Sequence, residues 1–454
     1  MTSAVPPMVS GGMPVLGHIV EMLRDRETLF KRGYAEHGDL FSIKLGPQAV
    51  AVITGAEHNR LFYTETDKSL NMQDGYTFLK AAIGEVLFTA SPADYYNQRP
   101  LLQEIFKRER MVGYLEAMNI EIQYWLDALG PSGEIDLTKE MLHLTQYVAG
   151  RAFIGSRFAE ELGADFWQEY AAISASLDPV LPPNLPLPKF IRRDRAKQKI
   201  AATLQKLIQE RRQCPDEHDD LITILLTTPL KDETFLPDET IITLFMGLMF
   251  AGHETTAGQA AWVIALLLQH PDYLALVKTE IDQHVPPGQP IDGHILRGLE
   301  HTYWAIDETT RLRPSADTQI RTLETPLQFG AYEIPAGWRV MVSGATSHHL
   351  PTAFANPEQF DPLRYSPEQG EGKNPFAIIG FGGGIHKCTG MNFAKNEMAI
   401  ITALLFQQFD VELLSQDIHV VTGNGANRPS AVRVRYQRKP QPELKTPTAL
   451  QAEM

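Results

Sequence analysis

A cysteine inside a glycine-rich segment is the residue of this sequence best suited to chemistry. Residues 381–390 read FGGGIHKCTG, and a helix is predicted to follow directly. Three consecutive glycines let a backbone turn tightly and approach a flat ligand closely. The positive amino-terminal end of the helix, with Lys387 and His386, favours the thiolate form of Cys388. A thiolate is a strong metal ligand, whereas a small structural cysteine beside a glycine loop is the alternative.

A carboxylate and a hydroxyl lie in the middle of the longest apolar helix that the sequence predicts, residues 238–270. The segment 251–256 reads AGHETT, and polar groups in such a helix cost free energy unless they are satisfied. They predict either a kink in which a threonine bonds back to a carbonyl, or a local opening where Glu254 and Thr255 relay protons. A His-Glu-x-x-His zinc motif is excluded because its fifth position is Ala257 here.

A third group of charges joins two separate segments. Glu308 and Arg311 are three residues apart on a predicted helix, so they share one face. Exposed to water, such a pair contributes little to stability. The second segment, residues 360–365, reads FDPLRY and supplies Arg364.

The order and spacing of these segments resemble the cytochrome P-450 superfamily. The Phe-x-x-Gly-x-His-x-Cys-x-Gly spacing is similar to its haem-ligand loop, and residues 251–256 are similar to its acid–threonine signature. The third group is similar to its Glu-x-x-Arg and Phe-x-Pro-x-Arg elements. The resemblance spans residues 14–436 and implies haem b as the cofactor. A cysteine thiolate on haem iron favours cleavage of the O–O bond.

The resemblance also implies roles for individual residues. The axial iron ligand is Cys388, and the catalytic residues are Glu254 and Thr255. The buried structural network that shapes the cysteine loop consists of Glu308, Arg311 and Arg364. Charge-assisted bonds suit arginine to the haem propionates, and the residues expected to hold the cofactor are Arg99, Arg321, His386 and Tyr76. Arg99 comes from residues 95–99 (YYNQR), which match a Trp-x-x-x-Arg pattern with Tyr95 in place of Trp.

Further segments are similar to the substrate-recognition region of bacterial sterol 14α-demethylases. These are residues 74–79, 84–88, 178–193 and 249–253. By that similarity the side chains expected to face the substrate are Tyr76, Phe78, Phe250 and Ala251, with core packing as the alternative. The demethylases carry His-Thr-Ser where this chain has residues 254–256, so sterol, terpenoid and fatty acyl substrates all stay open.

The expected function is that of a haem-thiolate monooxygenase, which uses O2 and two externally supplied electrons to hydroxylate or demethylate a hydrophobic substrate. No reductase domain fits in the remaining residues, so a separate ferredoxin or flavodoxin is expected to deliver the electrons. Two alternatives are a haem-thiolate enzyme that rearranges an oxygenated lipid without external electrons, and a non-catalytic haem protein that binds a lipid or a gas.

The pattern of the sequence predicts a mainly α fold with a small β-rich region, which would position the site residues. Helical periodicity is predicted over several stretches, which are 94–129, 138–156, 160–177, 192–213, 238–270, a segment from 300 to 311, and 391–409. A hairpin is predicted at 38–54, and short strands are predicted at 327–329, 332–334, 339–343 and 431–436. We expect one domain over residues 14–438, a flexible segment at 1–13 and a disordered tail at 439–454.

Composition narrows the class of protein further. The 454 residues carry a formal net charge of −14, which argues against nucleic acid as a partner. A short basic cluster at 107–110 is either a solvated face or a docking patch for an electron donor. Two cysteines are too few for a disulfide framework. With no leader and no apolar run long enough to cross a bilayer, the sequence predicts a cytoplasmic protein without a membrane anchor.

Overall fold

Helices form most of the chain. The computed structural model describes residues 4–86, 89–163, 165–178, 181–422 and 426–440. The helices of this described part are α1 (Ile19–Arg24), α2 (Arg26–His37), α3 (Ala56–Glu65), α4 (Thr77–Ile83), α5 (Pro92–Ile105), α6 (Arg108–Leu129), α7 (Leu137–Ile154), α8 (Phe158–Leu162), α9 (Phe166–Ser174), α10 (Pro188–Gln213), α11 (Leu221–Thr227), α12 (Asp238–Gln269), α13 (Pro271–His284), α14 (Gly293–Arg297), α15 (Glu300–Leu312), α16 (Gly344–Ser347) and α17 (Met391–Gln408).

The strands are short and form four small sheets. In the described residues they are β1 (Leu40–Leu45), β2 (Gln48–Ile53), β3 (Leu70–Asn71), β4 (Ser132–Asp136), β5 (Thr318–Leu323), β6 (Leu327–Phe329), β7 (Tyr332–Ile334), β8 (Arg339–Ser343), β9 (Phe409–Leu413), β10 (Val420–Thr422), β11 (Asn427–Pro429) and β12 (Arg433–Arg438). The largest sheet has the order β1-β2-β8-β5-β3. The others pair β4-β12-β9, β6-β7 and β10-β11. This confirms the predicted mainly α architecture with a small β region.

Helix α12 is the centre of the hydrophobic core. It begins after Pro237 with two acidic residues, which favour the positive end of a helix, and it ends before Pro271, which begins α13. Every residue from 256 to 267 is buried, and α12 packs against α7, α15, α17 and β11. A helix that is apolar on all sides has to be covered on all sides, and these neighbours provide the cover.

Several predicted elements differ from the observed ones in their boundaries. The hairpin is observed as β1 and β2, and the three strands predicted between 327 and 343 are observed as β6, β7 and β8. The helical stretch 94–129 is interrupted at residues 106–107, and 160–177 is divided at Gly163, whose φ of +79° ends α8. The loop expected at 178–188 lies between α9 and α10, with residues 179–180 outside the described part.

The described part of the segment 1–13, for which flexibility is predicted, lies against the sheet. From residue 4 onward the chain is described, and the Ser42 hydroxyl donates to the Pro6 carbonyl at 2.9 Å while the Val9 amide donates to Ser42 O at 3.0 Å. Val9 is buried. These bonds order the segment along β1. Of the expected tail, residues 441–454 lie outside the described part.

None of the described helices is by itself both long and apolar enough to cross a lipid bilayer. Helices α12 and α13 reach the required length and hydropathy only together, as a pair bent by 111°. Most of α12 is covered by protein.

Candidate functional site

The loop that carries Cys388 is shaped by its glycines. Gly382 and Gly384 have φ values of +72° and +62°, in the left-handed region that favours glycine. A Cβ atom on Gly383 would come within 2.7 Å of the Tyr63 ring, so no larger residue fits there. The Cys388 amide closes the loop by donating to the Phe381 carbonyl at 2.9 Å. The loop is therefore held in one conformation before α17 begins.

The side chain of Cys388 is accessible although protein surrounds it. Burial raises the pKa of the thiol, while the Gly390 amide and the Lys387 charge lower it. Accessibility and desolvation occur together when a group points into a space that protein largely encloses. A metal bound there would take the place of the thiol proton, so the sulfur is suited to an iron ligand.

Arg321 is a buried cation that the described residues leave without an acid. It lies on β5 and is 2% exposed. Its Nη1 donates to the Ile320 carbonyl at 2.8 Å, and its Nε has no hydrogen-bond partner within the described part of the chain. Its guanidinium lies 5.0 Å from the centre of the Phe62 ring. A buried unpaired charge is costly, and the carboxylate of a haem propionate would relieve that cost, so this site fits the cofactor.

Tyr76 lies against the strand that carries Arg321. It ends a short 3-10 turn, Gln73–Tyr76, that packs against β5, and its hydroxyl accepts from the Ile320 amide at 3.4 Å. Tyr76 and Arg321 were expected from the sequence at the cofactor, and the structure brings them to the same strand.

Tyr95, Arg99 and His386 meet on the other side of the cysteine loop. Tyr95 and Arg99 lie on α5 and line a cavity of about 330 Å³ together with loop residues on both sides of Cys388. The Tyr95 hydroxyl donates to the Ile385 carbonyl at 2.9 Å, and its ring lies 4.1 Å from the His386 ring. Tyr95 therefore fastens the loop to α5, while Arg99 is exposed to the cavity.

His386 has a protein partner that sequence reasoning missed. Its Nε2 lies 2.6 Å from a carboxylate oxygen of Asp67, and both side chains are almost fully buried. This contact leaves Nδ1 as the ring nitrogen available to a cofactor carboxylate. Asp67 lies 319 positions earlier in the chain and belongs to no motif, although its φ of +69° marks an unusual backbone position.

Helix α12 loses its cover at the predicted opening. In residues 250–255 only His253 is buried, and Ala251 is exposed in the middle of a core helix. The Thr255 hydroxyl donates to the Ala251 carbonyl at 2.7 Å, which is the back-bond that the kink alternative required. The Glu254 side chain points toward α9, where its carboxylate accepts a hydrogen bond from the Ser174 hydroxyl. The two expected catalytic side chains are thus adjacent in sequence but bonded to different partners.

Burial controls the protonation of this segment. It raises the pKa of Glu254, against the Ser174 hydrogen bond and the charge of Arg428, which lower it. It also lowers the pKa of His253 to about 4, so that imidazole stays neutral near pH 7. Glu254 can consequently hold or release a proton closer to neutral pH than an exposed glutamate can.

The expected substrate-facing residues occupy neighbouring elements. Phe78 lies on α4 and Phe250 on α12, and these helices pack against each other. The Tyr76 and Phe78 rings are 6.5 Å apart. All three aromatic side chains are half-buried and contact the main core, whereas Ala251 is exposed.

The network of Glu308, Arg311 and Arg364 is complete within the protein. Arg311 donates to both carboxylate oxygens of Glu308 at 2.9 and 2.8 Å, and Arg364 donates to one of them at 3.0 Å. Arg311 also donates to the His348 carbonyl at 2.8 Å, and the His348 ring accepts from the Ile379 amide at 2.8 Å. Through His348, which the sequence did not indicate, the network reaches the start of the cysteine loop.

The basic cluster at 107–110 is largely neutralised. Lys107 and Arg110 both form ion pairs with Glu104, and Arg110 forms a second one with Asp219. Arg108 is exposed. The charge that this cluster offers to a partner is thus smaller than the sequence indicates.

Comparisons with known proteins agree with this geometry. A family model described as Cytochrome P450 matches residues 6–428. The chain is 32% identical to a sterol 14alpha-demethylase of Mycolicibacterium vanbaalenii, covering 95% of this chain and 98% of that protein. It is 30% identical to a sterol 14alpha-demethylase of Mycobacterium tuberculosis, covering 91% and 93%. The solved structure of retinoic acid-bound cyanobacterial CYP120A1 has a TM-score of 0.88 at 27% identity, covering 97% of this chain and 100% of that one.

Proposed function

Because this chain belongs to the cytochrome P450 family, we propose that it hydroxylates or demethylates a sterol-like substrate, with Glu254 and Thr255 supplying protons. The protein is a cytochrome P450 monooxygenase whose cofactor is haem b, bound through a cysteine thiolate, and it uses O2, a redox partner and a hydrophobic substrate. We assign this activity to residues 14–438.

The cofactor is held by residues from both sides of the cysteine loop. We assign the iron ligand to Cys388, whose side chain is accessible within the glycine loop. We assign one propionate to Arg321 and Tyr76. Arg99 and His386 are assigned to the remaining carboxylate contacts. When bound, haem supplies the iron at which O2 is reduced and the substrate is oxidised.

The observation that carries the proposed proton delivery is the desolvated Glu254 beside Thr255, within the partly uncovered residues 250–255 in the middle of α12. A carboxyl group whose pKa is raised toward neutral by burial can both give up a proton and regain one from solvent. Thr255 bonds to the Ala251 carbonyl, which holds its hydroxyl on the exposed side of the helix. An enzyme that only rearranges its substrate has no need of this pair.

The substrate class rests on two observations. The relatives named above are sterol 14alpha-demethylases, and Phe78, Phe250 and Tyr76 present half-buried aromatic surface next to the exposed Ala251. Apolar and aromatic surface of this kind suits a rigid hydrophobic ligand. We propose that a separate ferredoxin or flavodoxin delivers the electrons.

The iron ligand is tested by Cys388→Ser. The reduced protein in carbon monoxide should lose the spectrum typical of thiolate-bound haem. Cys214→Ser removes the other cysteine, which is exposed at the end of α10, and should leave that spectrum unchanged. If the spectrum survives in Cys388→Ser, the ligand assignment is wrong.

The proton pathway is tested by Thr255→Ala and Glu254→Gln. Each should lower the yield of product per electron consumed, and Thr255→Ala should release more hydrogen peroxide. Thr256→Ala, at the neighbouring buried threonine, is the matched control and should keep the normal yield. Unchanged yields in both test variants would remove the pair from proton delivery.

The substrate class is tested by titrating the ferric protein with sterols, terpenoids and fatty acids and following the haem absorbance. Sterols should produce the largest shift at the lowest concentration. Phe78→Ala and Phe250→Ala should then weaken binding. Leu248→Ala, about 200° away from Phe250 around α12, should bind normally. A preference for fatty acids would replace the sterol proposal.

A further inference from the structure

Glu254 is held by a second helix. Ser174 is the last residue of α9, and its side-chain hydroxyl donates a hydrogen bond to the Glu254 carboxylate on α12. Ser174 is 4% exposed, so water does not compete freely for this bond. A hydrogen bond to a charged acceptor is among the strong ones in proteins.

The other charged and titratable groups around Glu254 do not replace this contact. On α9, the Tyr170 hydroxyl is fully buried and has no hydrogen-bond partner within the described residues, although it lies close enough to feel the Glu254 charge. On β11, Arg428 acts on Glu254 through its charge. On α12 itself, His253 faces Met249 and Gln146. Ser174 is the group that bonds directly to the carboxylate.

The side chains of Glu254 and Thr255 point in different directions. Neighbouring residues of an α-helix point about 100° apart. Glu254 points toward α9, while the Thr255 hydroxyl is bonded back along its own helix to the Ala251 carbonyl. For a proton to pass from Glu254 toward the exposed side of α12, the carboxyl group has to leave Ser174 or act through water.

We propose that Ser174 is a positioning residue that holds the Glu254 carboxylate against α9 and thereby sets when Glu254 can release its proton. This inference rests on the proposed proton-delivery role of Glu254. When the contact with Ser174 opens, the carboxylate loses the hydrogen bond that stabilised its charge and takes up a proton from solvent. It passes that proton toward the exposed side of α12 and then returns to Ser174 as the anion. Because α9 also packs against α4, which carries Phe78, a ligand that moves α4 can reach this contact.

The contact is tested first without turnover, in the haem-loaded ferric protein. Infrared spectra taken across a pH series follow the carbonyl band of protonated Glu254, which Glu254→Gln identifies by removing it. Ser174→Ala should move the midpoint of this titration to higher pH by about one pH unit, because the lost hydrogen bond stabilised the charged form. Ser174→Cys keeps the size of the side chain with a weaker donor and should shift it in the same direction.

Ser176→Ala is the matched control. Ser176 is also buried at the end of α9, but its hydroxyl donates to the Ile173 carbonyl at 2.6 Å. Its variant should titrate like the natural protein. An unchanged midpoint in both Ser174 variants overturns the proposal.

A double variant separates this inference from the proposed function. If Ser174 acts through Glu254, adding Ser174→Ala to Glu254→Gln should change the yield of product per electron, and its pH dependence, no further. An additional loss means that Ser174 acts elsewhere and overturns the inference alone. If Glu254→Gln itself leaves the yield unchanged, the proton-delivery role fails instead.

Discussion

Two buried arginines ten positions apart have opposite surroundings. Arg311 is fully buried and donates to both oxygens of Glu308 and to the carbonyls of His348 and Pro357. Arg321 is 2% exposed, and its guanidinium donates only to its neighbour's carbonyl within the described residues. The same side chain is thus fully satisfied at one site and left incomplete at the other.

The difference supports the assignment of Arg311 to the fold and the proposal that Arg321 binds the cofactor. A buried ion pair that is complete within the protein holds its segments together, and removing one partner leaves the other charge uncompensated. A buried cation with no acid in the protein is stabilised only when a ligand brings one. Stability and haem retention should therefore respond to different substitutions.

The largest effect is expected from Glu308→Ala. The substitution leaves Arg311 and Arg364 buried without their acid, which typically costs about 3–5 kcal/mol. Urea unfolding of the haem-loaded protein, followed by circular dichroism, measures the free energy of unfolding. Glu300→Ala, at an exposed position of the same helix, should change it little. Equal losses in both variants would mean that the network does not stabilise the fold.

Glu397 extends the comparison to carboxyl groups. It lies on α17, is 1% exposed, and its Oε1 has no hydrogen-bond partner within the described residues. Burial raises the pKa of Glu397 well above its usual range. The folded protein therefore holds this proton more tightly than the unfolded chain does, and stability falls as the pH rises above about 4.3, the pKa of an unfolded glutamate.

Glu397→Leu should remove the loss of folding stability that accompanies rising pH. At neutral pH the variant should be more stable than the natural protein, and the difference in stability should shrink toward pH 4. Unfolding free energies at several pH values measure it. Glu397→Gln, which cannot ionise, should flatten the pH dependence in the same way. A gap that does not vary with pH would mean that Glu397 is charged in the folded state.

Arg321→Leu should separate haem retention from folding. If Arg321 binds a haem propionate as proposed, the variant loses a charge-assisted bond worth about 1.5–3 kcal/mol, and haem should dissociate roughly 10 to 100 times faster. Transfer of haem to an excess of a haem-free globin measures the rate. Arg339→Leu, on the neighbouring strand β8, is the control. A loss of folding stability as large as that of Glu308→Ala would abolish the contrast between the two arginines.

Local pattern predicted the parts of the site that are continuous in sequence. The glycines and Cys388 lie in one segment, and Glu308 and Arg311 lie on one helix face, so spacing alone was informative. The long apolar run predicted α12 to within a residue. The family resemblance supplied Arg321 and Arg99, whose chemistry a single sequence does not distinguish from that of a surface arginine.

Contacts between distant segments could not be predicted in this way. Strand β5 carries Arg321, but its polar and apolar residues alternate too weakly for the strand to be recognised from sequence. Its partner strand β8 also pairs in parallel with β2, which lies about 290 positions earlier in the chain. Ser174 and Asp67 belong to no sequence motif. Each acquires its role only through a contact with a residue that is distant in sequence. The protein partners of Glu254 and His386 thus depend on tertiary packing rather than on local sequence.

The smallest effect is expected from Tyr95→Phe, because Tyr95 faces the cofactor side but is satisfied by the protein. The substitution removes the hydrogen bond to the Ile385 carbonyl and keeps the ring that packs on His386. We expect haem to dissociate about 2 to 10 times faster, as for the loss of one neutral hydrogen bond worth about 0.5–1.5 kcal/mol. The same haem-transfer assay measures it, with Tyr124→Phe at an exposed position of α6 as the control. If this effect equals that of Arg321→Leu, the missing acid partner at Arg321 is not what ties that residue to the cofactor.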